Sequence, residues 1–207
     1  MARNVLNVYP ISDIDGIAAS QTPNAGNLTI NGALADNGTV QFASSHLIII
    51  ASSGDDSSRS FTIEGKDSRG ISMIETISGA NAGNAVTTNY FKAVSSISIN
   101  GSAAASLTVG VDGKAASSMG IVDNVGVSIG FGCEISDTSN LAYSVQHTFD
   151  DVTDISKTDF YWFNHETIAN KSDSQDGNYA FGIMGVRIIT NSFVSGDVKA
   201  TFIGSER

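Results

Sequence analysis

Residues 60–78 read SFTIEGKDSRGISMIETIS, and the period of that stretch is two. Phe61 and Ile63 precede the polar run Lys66-Asp67-Ser68-Arg69-Gly70, and Ile71, Met73, Glu75 and Ile77 follow it. Alternation of this kind sends apolar side chains to one face of a strand, whereas a helix needs them three and four apart. The polar insert closes on a glycine, so the stretch predicts an antiparallel hairpin.

The same grammar extends outward in both directions. Upstream, Leu28 and Ile30 alternate with Thr29 and Asn31, and Asn31-Gly32 and Asn37-Gly38 are turn signals leading into Val40-Phe42. His46 to Ala51 (HLIIIA) is an apolar run short enough for one strand buried on both faces. Downstream, Gly79 to Ala85 predicts a loop, Val86 to Ile99 a strand, Asn100-Gly101 a turn, and Leu107, Val109 and Val111 a further strand. Asp112 to Ser118 (DGKAASS) is the best candidate linker. Beyond it Val125, Val127 and Ile129 alternate, as do Tyr143, Val145, His147 and Phe149. Lys171 to Gly177 predicts a solvated loop, and the chain closes with Ile183 to Thr190 and Asp197 to Ile203. Turn signals every 8–12 residues and no helical stripe of useful length predict an all-β chain of one or two antiparallel β-sandwich or jelly-roll-like modules. The expected division is an extended N-terminal arm at 1–26, a β-sandwich module at 27–112 and a second β module at 113–207. Val5, Leu6, Val8, Tyr9 and Ile11 make the arm apolar, so it packs either on its own domain or on a neighbouring subunit.

Composition removes several function classes. The 207 residues carry a net charge of −10, and charged residues are only 15% of the chain, against roughly 25% in ordinary soluble domains. No Lys/Arg cluster is present, so neither a nucleic acid backbone nor a polybasic membrane contact is expected. The single cysteine, Cys133, cannot form an internal disulfide. Glu134 beside it opposes a thiolate, so Cys133 is expected to be an inert thiol. The N-terminus lacks the apolar core of a signal peptide, and synthesis in the cytoplasm is the expectation.

Chemistry is sparse. Leu141 to His165 gathers an acidic turn (Asp150, Asp151 and Asp154), two histidines (His147 and His165) and the only tryptophan, Trp162. The acidic turn is a candidate for a hard cation, but turns of this kind commonly satisfy backbone N–H groups instead. Asp13-Ile14-Asp15-Gly16 resembles the start of a calcium loop without its later ligands. No zinc spacing and no G-x-S-x-G elbow occurs, so no catalytic residue, cofactor or enzymatic activity is expected. Tyr161, Trp162 and Phe163 read as a core anchor or an interface patch, and less as a ligand platform. With Val5, Leu6, Val8 and Tyr9 they are the interface candidates.

Taken in order, the chain resembles small structural proteins encoded beside the capsid genes of tailed bacteriophages. The likeness is carried by NLTINGA, HLIIIAS, the T-x-x-G-x-D-x-x-G of Thr62 to Gly70, and the GANAG loop of Gly79 to Gly83. Further along it is carried by Tyr143 to Asp151, Trp162-Phe163-Asn164-His165, Gly177-Asn178-Tyr179, Val186 to Ile189 and Ser195 to Val198. Val152 stands where relatives often carry proline. The resemblance implies a virion protein on the capsid surface, made in the host cytoplasm: a head decoration or cement protein, bound to the major capsid protein and self-associating as a homotrimer. A tail, adaptor or fibre-associated component is the alternative. The rival from another class is a carbohydrate-binding β-sandwich, which would need two or three coplanar exposed aromatics.

Overall fold

The computed structural model describes residues 2–122, 128–138 and 140–204. Val125 and Val127 of the alternation noted above lie outside the described residues. Among those described there is no helix, and strands arranged in antiparallel sheets account for 56%. The chain divides into two compact units, one made of Met1–Pro10 with Lys114–Arg207 and the other of Ile11–Gly113.

The division corrects the expected arm. Ala2–Val8 is a strand, β1, paired residue for residue with the last strand of the chain from Ala2↔Gly204 to Val8↔Val198. Leu6 is 2% exposed and Val8 0%, because a strand with one face on a core hides every second side chain. What read as an arm is therefore the first strand of one unit followed by the first strand of the other. The middle unit accordingly begins at Ile11, not at Asn27.

That middle unit holds β2 (Ser12–Gln21), β3 (Gly26–Asn27), β4 (Ala35–Asp36), β5 (Thr39–His46), β6 (Ile49–Ser52), β7 (Ser60–Lys66), β8 (Ser72–Ser78), β9 (Asn84–Val86), β10 (Phe91–Ile99) and β11 (Leu107–Asp112). One sheet runs β5-β10-β7-β8, with β3 on β10 and β4 on β5; the other runs β2-β11-β6-β9. Phe61, Ile63, Phe91 and Ile97 from the first meet Ile17, Ile50, Leu107 and Val109 from the second in one core. Each such side chain contributes about 1.5–3 kcal/mol when fully buried.

The hairpin of residues 60–78 forms as β7–β8, in register from Ser60↔Ser78 to Lys66↔Ser72. Its turn is held by the buried Asp67. One carboxylate oxygen accepts the backbone N–H groups of Arg69 (2.8 Å) and Ile71 (3.0 Å), and the other accepts Arg69 Nε at 2.8 Å. Gly70 takes φ +82°, which only glycine adopts at little cost. Asn37 and Gly38 both have positive φ between β4 and β5, as a two-residue hairpin turn of the asparagine-glycine kind requires. The run HLIIIA does not form one strand. His46 ends β5 in one sheet, and Ile49 opens β6 in the other. His46 is fixed at this crossing, since Nδ1 donates to the Ser44 carbonyl (2.8 Å) and Nε2 accepts the Ile11 N–H (3.2 Å).

The other unit adds β12 (Ala115–Ala116), β13 (Gly120–Ile121), β14 (Ile129–Ile135), β15 (Leu141–Thr148), β16 (Phe163–Asn164), β17 (Gln175–Tyr179), β18 (Gly185–Phe193) and β19 (Val198–Gly204). Its sheets are β1-β19-β14-β17 and β16-β15-β18, with β12 and β13 each paired to β18. Two readings change here. Ala115 and Ala116 in the middle of the expected linker form β12 and are buried, and the expected loop at 171–177 gives way to β17 at Gln175. Leu6, Val8, Phe131, Tyr143, Val145, Ile188 and Phe202 share the core.

Candidate functional site

Strand β15 sends Tyr143 and Val145 into this core and His147 to its margin, with Phe149 just past the strand end and exposed. His147 is the centre of an aromatic cluster. Phe163 stacks on it at 5.7 Å between ring centroids, and Tyr179 (5.0 Å), Phe149 (5.5 Å) and Phe181 (5.7 Å) meet it edge-on. His165 packs on Tyr179 and on Phe131, which stacks in turn on Phe202. A chain of rings thus runs from the core to the surface. Burial, and then the neighbouring His165, lower the His147 pKa; its Nδ1 is buried without a hydrogen-bond partner.

β16 ends one sheet and β17 ends the other. Between them opens a groove of about 470 Å³, lined by His147, Asn164, His165, Asp176, Asn178 and Phe181 together with Glu166 and Thr167. His165 is oriented by the Asn178 carbonyl on Nε2 (3.2 Å) and by the Thr167 N–H on Nδ1 (3.3 Å). Asn164 is exposed, and its Oδ1 accepts from Gln146 Nε2 at 2.9 Å. Gly177 lets β17 approach closely, for a Cβ there would stand 2.9 Å from both the Phe131 ring and Ile168. This pocket was not foreseen in the sequence. Its one available signal was QDGNYAF, where polar residues alternate with Tyr179 and Phe181.

The acidic turn is occupied by its own loop. Asp150 pairs with Lys157 Nζ at 2.7 Å and accepts the Tyr161 N–H at 2.7 Å. Asp151 accepts the backbone and hydroxyl of Thr153, and Asp154 those of Ser156. Hydrogen bonds from Lys157 and Tyr161 lower the Asp150 pKa, and those from Thr153 lower that of Asp151. Among the described residues no group of three acidic, histidine or cysteine side chains is placed to hold a metal ion. Burial pushes the Cys133 thiol up to about 12.

The interface candidates separate. Tyr161 is 73% exposed, and Val5, Tyr9 and Phe163 are also exposed. Leu6 and Val8 belong to the core and are not available to a partner. Trp162 is half-buried, with the Arg187 guanidinium 4.2 Å over its ring and Phe160 beside it. Arg187 Nε donates to Gln146 Oε1 at 2.8 Å, which fixes that lid.

A second feature is the edge strand β8, SMIETIS, which ends its sheet. Ser72, Ile74, Thr76 and Ser78 are exposed, Ile74 at 66%, while Met73 is buried and Glu75 and Ile77 are half-buried. Its only charge, Glu75, accepts hydrogen bonds from Thr88 and Asn89 and is spent on that loop. Natural edge strands are ordinarily guarded by free charge, proline or a bulge. This one is not.

No family model, curated protein or solved structure matches the chain.

Proposed function

We propose that the chain is a structural protein of a tailed-bacteriophage virion, a decoration or cement protein that binds across junctions between major capsid protein subunits and self-associates as a homotrimer. The observation that carries this reading is β8, a seven-residue edge strand with an exposed Ile74 and its one carboxylate engaged elsewhere. Such an edge offers a row of backbone donors and acceptors to a neighbour's sheet. A chain with only 15% charged residues adds the second ingredient, since contacts can form with few ions to desolvate. Repeated by symmetry, modest contacts hold by avidity. The order of motifs that resembles phage structural proteins supports the same reading.

The test is quantitative mass spectrometry of purified particles from a phage that encodes this chain. Decoration expects hundreds of copies per particle, and removal of the protein should lower the temperature at which heads burst. A few copies per particle would move the assignment to the tail or adaptor. Absence from particles would overturn the virion reading altogether.

A further inference from the structure

The groove between β16 and β17 is not used by the assembly reading, and its chemistry is specific. Its walls combine ring surface with planar polar groups. Phe181 is 51% exposed at its margin, and Asn164, Glu166, Asp176 and Asn178 bring amides and carboxylates to the lining. The volume of about 470 Å³ falls within the roughly 300–1,000 Å³ of small-molecule sites.

Three observations narrow the ligand. The lining holds two carboxylates and neither lysine nor arginine, so phosphate, sulfate and sialic acid groups would meet repulsion. The centre of the aromatic cluster is filled by the His147 ring, so there is no empty box to enclose a quaternary ammonium. His147 itself is 7% exposed yet keeps Nδ1 without a partner. A buried polar atom without a partner is uncommon in a folded protein, and here it sits in a residue of the groove wall. A neutral molecule fits this lining through one apolar face, laid on the single exposed ring Phe181 in place of the two or three coplanar rings of a carbohydrate-binding module, and through many hydroxyls. Each hydroxyl both donates and accepts, matching amides and carboxylates together.

We propose that this groove is a saccharide site, taking a neutral oligosaccharide with a sugar face against Phe181 and its hydroxyls on Asp176, Asn178, Glu166 and the Asn164 amide. The site belongs to one unit of the chain and stands whether or not the protein is part of a virion.

The experiment applies the purified 207-residue protein to a printed array of neutral, sialylated and sulfated oligosaccharides, followed by calorimetric titration with the neutral oligosaccharides of the array. Phe181→Ala and Asp176→Asn change exposed side chains, and Val194→Ala serves as a control outside the groove. The expected result is retention of neutral glycans, at least a tenfold loss of affinity in each groove variant, and no loss in the control. Thermal midpoints of the variants show that they remain folded. Retention of no glycan, retention of charged glycans only, or unchanged affinity in both folded groove variants would overturn the assignment.

Discussion

Leu6 and Val5 are neighbours in sequence with opposite fates, because β1 turns one to the core and the other to solvent. Leu6→Ala should cost about 2–5 kcal/mol, the transfer of a buried side chain plus the cavity it leaves. Val5→Ala should stay within about 0.5 kcal/mol, as surface changes usually do. Urea unfolding of both variants checks this, and equal small effects would contradict the placement of Leu6 in the core. Cys133 offers a second probe at this scale. Its thiol is buried and raised to about 12, and the thiolate is the reactive form. In native protein at pH 8 a thiol reagent should leave it unmodified, and in denaturant it should react fully. Rapid labelling of the native protein would contradict the packing of β14 against β19.

His46 links a residue to the behaviour of an element, since it stands where the chain leaves β5 in one sheet for β6 in the other. Burial is the chief cause that lowers its pKa from 6.5 to about 4. The folded protein therefore holds the ring neutral while the unfolded chain takes up a proton below pH 6.5. The stabilisation is complete above about pH 6.5, falls as pH drops toward 4, and is flat below that. Its full size is on the order of 3 kcal/mol. The wild-type unfolding free energy should fall between pH 7 and pH 4.5 by more than that of His46→Gln, which has no group titrating there; parallel curves would refute the account. The same crossing explains which elements were legible. Period-two alternation and asparagine-glycine turns are local, so the β7–β8 hairpin and the Asn37-Gly38 turn could be read directly. HLIIIA could not be, because an apolar run reads alike whether it stays in one sheet or changes sheets. Strand β1 was hidden for another reason: its partner β19 lies almost the whole chain away, and pairing at such distance leaves no local mark. The groove was illegible on the same ground, since its walls come from β15, β16 and β17, which meet only after folding.

At the scale of the whole molecule the chain carries two cores, and sequence order does not assign residues to them. Leu6 shares a core with Phe131 and Phe202, while Phe61 shares the other with Ile17 and Val109. Trp162 is the only tryptophan, and it belongs to the unit made of Met1–Pro10 and Lys114–Arg207. Its fluorescence therefore follows one core alone, whereas circular dichroism follows the strands of both. Phe61→Ala should cost about 3–5 kcal/mol and shift part of the dichroism transition to lower denaturant while leaving the tryptophan transition in place. Leu6→Ala should do the reverse, moving the tryptophan transition although the substitution lies more than a hundred residues before the reporter. Two cores that unfold as separate cooperative units demand this crossed pattern. If both substitutions move the tryptophan signal equally, the chain unfolds as one unit and its cores are coupled.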